Sequence, residues 1–96
     1  MIRSFGDVAT TVVYYGRDTK AARQLPKPLG PVIRPKLDAL HRARTLHDLR
    51  FPAGNRLEAL KGARAGTFSL RVNEQHRITF RWENGHAHDV ACEDYH

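Results

Sequence analysis

The chain has 96 residues, 41% of them hydrophobic, and a formal net charge of +6 from 16 Lys+Arg against 10 Asp+Glu. That length gives one domain with one modest core, and the apolar content excludes general disorder. A single cysteine excludes an internal disulfide and a cysteine-rich metal site, and the longest apolar runs are too short to span a membrane, so the reading is a soluble, cytoplasmic protein with an anionic partner.

The charge is uneven along the chain. Residues 50–82 hold Arg50, Arg56, Lys61, Arg64, Arg71, Arg77 and Arg81 against Glu58 and Glu74. Residues 83–96 hold only acids among the charged types: Glu83, Asp89, Glu93 and Asp94. A basic middle therefore runs into an acidic end.

The segment MIRSF (1–5) alternates, with Ile2 and Phe5 apolar, and predicts a short first strand. Asp7 is a fair N-cap for a helix that runs to a stop at Gly16, although the β-branched Thr10, Thr11, Val12 and Val13 weaken it. Residues 17–31 are basic and proline-rich and predict a mobile connection or an interrupted helix start. From Pro31 to about Arg44 the period is helical, with Val32, Ile33, Leu37, Leu40 and Ala43 on one stripe; Arg34, Lys36, Asp38, Arg42 and Arg44 face outward. Residues 45–55 read as turn and loop, anchored by Leu46 and Leu49.

The period then changes to two. Leu57 and Leu60 begin a short strand, and Gly62 to Gly66 makes a turn. In TFSLRVN (67–73), Phe68, Leu70 and Val72 oppose Thr67, Ser69, Arg71 and Asn73. In HRITFRW (76–82), Ile78, Phe80 and Trp82 oppose Arg77, Thr79 and Arg81. Asn84-Gly85 is a strong hairpin signal, and AHDVAC forms the last strand. The fold class is α+β: two N-terminal helices on the apolar face of a small antiparallel sheet, with the basic polar face left open as a groove. Tyr14, Tyr15 and Trp82 are assigned to the core or to helix packing. The bland reading of the polar face is that its arginines simply solvate it.

Several blocks then stand in order: NRLE (55–58), LKG (60–62), SLRVN (69–73), RITF (77–80) and DYH (94–96). Together with MIRSF and the DLR–P–GNRLE approach, they resemble the RelE superfamily of toxins, and more closely its HigB branch. The resemblance covers essentially the whole chain, loosely over 8–30 and specifically over 54–82 and 94–96. It implies a single RelE-like domain over 1–96 that acts as the toxin of a type II toxin–antitoxin system. Such a toxin is a ribosome-dependent endoribonuclease, an mRNA interferase that cuts mRNA in the ribosomal A site without metal or other cofactor. Its implied partners are a HigA-like helix-turn-helix antitoxin, the ribosome with its mRNA, and operator DNA through the antitoxin alone. The alternative is a non-catalytic module acting with its antitoxin as a DNA-bound co-repressor.

The chemistry is attack of a ribose 2′-OH on the adjacent phosphate. It needs a base, an acid and fixed positive charge. Arg77, on the polar strand face and at the family's arginine position, is the expected phosphate clamp. Lys61 matches a family lysine and adds a second cation. Tyr95 and His96 are proton-transfer or base-stacking candidates, and Asp94 would orient a neighbour or serve as base; taken alone the three read as an inert tail. Glu58 stands where some relatives carry a histidine. Arg56, Arg64, Arg71 and Asn73 are expected RNA contacts. His76 replaces a family tryptophan before Arg77, and Cys92 reads as a small buried hydrophobe. His86-x-His88, near Asp89, Cys92, Asp94 and His96, is the competing metal reading, set aside because the resemblance implies a toxin that uses none.

Overall fold

The computed structural model describes residues 1–16, 25, 29–51 and 53–94. Helix α1 spans Val8–Tyr14 and helix α2 spans Gly30–Arg42. Strands β1 (Glu58–Ala59), β2 (Thr67–Arg71), β3 (His76–Glu83) and β4 (His86–Asp94) form one antiparallel sheet in the order β1-β2-β3-β4. Short 3-10 turns at Leu46–Arg50, Ala53–Asn55 and Gly62–Arg64 join the elements.

Local chemistry explains the boundaries. Thr10 donates its backbone N–H to Asp7 Oδ1 at 2.7 Å, so Asp7 caps α1, and Gly16 ends it with φ +69°. Pro31 occupies the first turn of α2, where its missing N–H costs nothing. Asn84 (φ +52°) and Gly85 (φ +78°) give the left-handed pair that a tight β3–β4 hairpin requires. Asp48 accepts the backbone N–H groups of Arg44 and Thr45 at 2.9 and 3.1 Å, and these bonds hold its carboxyl below the usual range.

The core lies between α2 and one sheet face. Ile33, Leu37 and Leu40 from the helix meet Leu70, Ile78, Phe80, Ala87, Val90 and Cys92 from the strands, and Leu49 closes one end. Each fully buried aliphatic or aromatic side chain there contributes about 1.5–3 kcal/mol. Helix α1 is tied to the sheet by a buried bond from Cys92 N–H to Thr10 Oγ1 at 2.9 Å. Burial pushes the Cys92 thiol up to about 11, so it stays a neutral packing group.

Sequence expectations change at residues 1–5, at Val32 and Lys36, and at Tyr15. Residues 1–5 do not form a full strand; they touch β4 through two parallel bridges, Ile2 with Ala87 and Phe5 with Val90. Between those bridges Asp89 N–H turns instead to Ser4 Oγ at 2.8 Å, which interrupts the ladder. Val32 leaves the α2 stripe and is 41% exposed, while Lys36 turns in to donate to Asn55 Oδ1 at 2.8 Å. Tyr14 packs against the core, but Tyr15 is mostly exposed. Of the segment 17–31, for which mobility was expected, residues 17–24 and 26–28 lie outside the described residues; Leu29 is buried and Gly30 and Pro31 already belong to α2.

Candidate active site

Strand register sorts the polar side chains into rows, because directly paired residues project to the same side of a sheet. One row runs Arg71, Arg77, Glu93 across β2, β3 and β4. The next runs Glu58, Ser69, Thr79, Ala91 across all four strands, and a third runs Thr67, Arg81, His88. Arg71 and Arg77 are thus neighbours, both half-buried, at the sheet end where β4 runs on into Tyr95 and His96. A pair of guanidinium groups on one face suits a phosphate, which each can grip through two oxygens.

The face is closed at its centre. Ser69 and Thr79 are buried, and Thr79 Oγ1 donates to Glu93 Oε2. Glu93 also accepts two bonds from Arg64, at 2.7 and 3.3 Å. Arg64 sits in the loop joining β1 to β2, whereas β4 is on the far side of β3. A spacing of about 4.8 Å per strand puts β4 roughly 10 Å from β2, so this loop folds back over the polar face. The bonds from Arg64 hold the Glu93 carboxyl below its ordinary range, against the opposite pull of burial and with help from Thr79.

Arg81 is committed elsewhere. Its Nε donates to Asp89 at 2.7 Å and its Nη1 to Glu83 at 2.6 Å, and the Asp89 bond above all raises its pKa. Asn73 Oδ1 accepts the backbone N–H groups of Gln75 and His76 at 2.8 and 2.7 Å, so it shapes the β2–β3 turn, and Arg71 Nε reaches the Asn73 carbonyl at 3.4 Å. Arg56, with φ +44°, Glu58 and Lys61 are exposed. Asp94 accepts from Gln75 Nε2 at 3.0 Å and pairs with His76, so strand alternation sets both on the helix side, opposite to Arg77. His76 is buried there. Tyr95 and His96 lie outside the described residues.

Sequence reasoning missed Glu93 as a member of this face. Counting back from the Asn84-Gly85 turn pairs Arg77 with Cys92. A bulge between Thr79 and Arg81 shifts the register by one and pairs Arg77 with Glu93 instead. The signal was present: inward-facing Ala87, Val90 and Cys92 are spaced by three and then two, which betrays an inserted residue. Asp89 fills it at φ +53°, held by Arg81 and Ser4.

Among the described residues no group of three His, Cys, Asp or Glu stands together as metal ligands. His86 meets Arg3 at 3.3 Å, and burial followed by the charge of Arg3 lowers its pKa. No helix among the described residues is long and apolar enough to cross a membrane.

Two short helices on one side of a four-stranded antiparallel sheet, with paired arginines on the other, make a RelE-like fold. Solved toxins share the fold. The YoeB-YefM complex from Staphylococcus aureus contains a chain that aligns with a TM-score of 0.62 at 20% identity, covering 100% of this chain and 98% of that one. The YoeB/ParE toxin from Agrobacterium tumefaciens aligns with a TM-score of 0.62 at 17% identity, over 99% and 100%. Residues 4–96 match the family described as RelE-like toxin of type II toxin-antitoxin system HigB, and the chain belongs to that family. It is similar to Toxin HigB-1 of Vibrio cholerae, 41% identical over 68 residues, 71% of this chain and 72% of the relative. It is also similar to a protein named Endoribonuclease HigB in Proteus vulgaris, 46% identical over 41 residues, 43% and 45% of the two chains.

Proposed function

We propose that this toxin is a ribosome-dependent endoribonuclease that cuts mRNA in the ribosomal A site by attack of a ribose 2′-OH on the adjacent phosphate. The observation that carries the reading is the Arg71–Arg77 pair on the polar face, at the end of the sheet where β4 leads into Tyr95 and His96. The name of the Proteus vulgaris relative supports the same reaction class.

In this reading Arg77 grips the scissile phosphate and offsets the charge that builds on its oxygens, and Lys61 supplies a second cation. Arg71 and the exposed Arg56 steer the RNA backbone, with Asn73 beside them. Arg64 takes part through its pair with Glu93. The proton leaves the 2′-OH and another reaches the departing 5′-oxygen. His96 and Tyr95 exchange these, and Glu58 on β1 is the acidic candidate, because Asp94 is turned to the helix side of the sheet. The reaction needs no cofactor. A HigA-like antitoxin silences the toxin and carries it to operator DNA, and the complex acts in the cytoplasm.

The test is cleavage in a reconstituted translation system, comparing the full chain with one lacking His96 and ribosome-bound with naked mRNA. The expected result is cutting only on ribosomes, slowed by about 10²-fold or more without His96. No cutting by the folded full chain would favour the co-repressor reading instead.

A further inference from the structure

The loop from Lys61 to Gly66 is a single 3-10 turn, closed within itself by Arg64 N–H to Lys61 O at 3.4 Å and Ala65 N–H to Gly62 O at 3.1 Å. All its residues are exposed. Gly62 and Gly66, with φ +67° and +91°, are left-handed positions near its two ends. The backbone bond from Leu60 N–H to Thr67 O at 2.8 Å closes its base but leaves its direction open. Yet the loop carries Lys61 and folds back over the polar face. Its direction is set by a bond between residues 29 apart in sequence, Arg64 to Glu93, which joins the loop to the opposite edge strand. Two parallel N–H···O bonds fix an angle as well as a distance. Glu93 is in turn braced by Thr79, which is buried in the central strand.

We propose that Glu93 is a positioning residue of the RNA site: seated on Thr79 and gripping Arg64, it fixes the β1–β2 loop, and Lys61 with it, over the polar face. This rests on the reading of that face as the RNA site. Glu93 does not itself move a proton; it acts through Arg64. The bulge at Asp89 is what makes the arrangement available, because an unshifted register would turn Glu93 toward the helices.

The experiment combines two readouts on purified Glu93→Ala, Glu93→Gln and the charge-swapped double variant Arg64→Glu/Glu93→Arg. The first is amide hydrogen exchange over residues 60–66. The second is single-turnover mRNA cleavage on ribosomes, with ribosome binding measured alongside. Both single variants should speed exchange in the loop by about twofold to fivefold while the core amides stay protected. Cleavage should slow by about tenfold or more as Lys61 loses its place, with ribosome binding within about twofold of wild type. The swapped pair should restore both. Unchanged loop exchange in the single variants overturns the proposal. So does a loosened loop that still cleaves at the wild-type rate, or a swapped pair that recovers neither readout. A wild-type protein that never cuts RNA would instead remove the functional reading, and exchange alone would then decide whether Glu93 fixes the loop.

Discussion

The two faces of the sheet solve different problems with the same strands. On the helix side, Leu70, Ile78, Phe80 and Cys92 are buried against Ile33, Leu37 and Leu40, and stability comes from the area removed from water. On the other side, Arg64, Thr79 and Glu93 are joined by directional bonds at a partly exposed surface, where an ion pair adds only about 0–1 kcal/mol. One face therefore holds the chain together, and the other holds charges at fixed positions. Mutations should separate the two.

The largest effect is expected on the apolar side. Leu37→Ala removes a fully buried side chain and should cost about 2–5 kcal/mol, read from denaturant unfolding. Arg77→Ala should do the reverse, slowing ribosomal mRNA cleavage by about 10²–10³-fold. Its unfolding free energy should stay within about 1 kcal/mol of wild type, which the same denaturant titration reads. An Arg77→Ala protein that melts early but cuts normally would erase the division between faces.

The bulge connects the two faces and should respond between those extremes. Asp89→Val places a β-branched residue at φ +53° and should destabilise by about 1–2 kcal/mol. Asp89→Gly, free of that strain, should lose less, and thermal unfolding of the two variants makes the comparison.

The smallest effect concerns pH. The Glu93 carboxyl is held low in the folded protein, first by Arg64. Its contribution is therefore complete above the unfolded value of about 4.3 and is lost as pH falls through the folded value. The stability gap between wild type and Glu93→Gln should narrow as pH drops from about 5 to about 3. A gap that stays constant across that window would mean that Glu93 is not held by Arg64 in solution.

Much of this was legible in the sequence because it rests on local rules. The period-two runs of 67–73 and 76–82, the Asn84-Gly85 turn, the Asp7 cap and the α2 stripe from Ile33 to Leu40 each announce themselves through nearby residues. Arg71 and Arg77 were placed on one face by alternation alone. What escaped depends on pairing at a distance. The Arg64–Glu93 bond requires knowing that the loop folds back, and the face of Glu93 requires the bulge at Asp89. Val32 sits at the edge of the helical stripe, where a small rotation decides between core and surface.

The chemistry of the polar face is tested most directly by the RNA ends it leaves. Products of ribosomal cleavage by the wild-type toxin, analysed by mass spectrometry, should carry a 2′,3′-cyclic phosphate on the upstream fragment, because the 2′-OH is the attacking group. An upstream fragment ending in a 3′-hydroxyl would mean that water attacked instead, and would contradict 2′-OH attack at a phosphate held by the Arg71–Arg77 face.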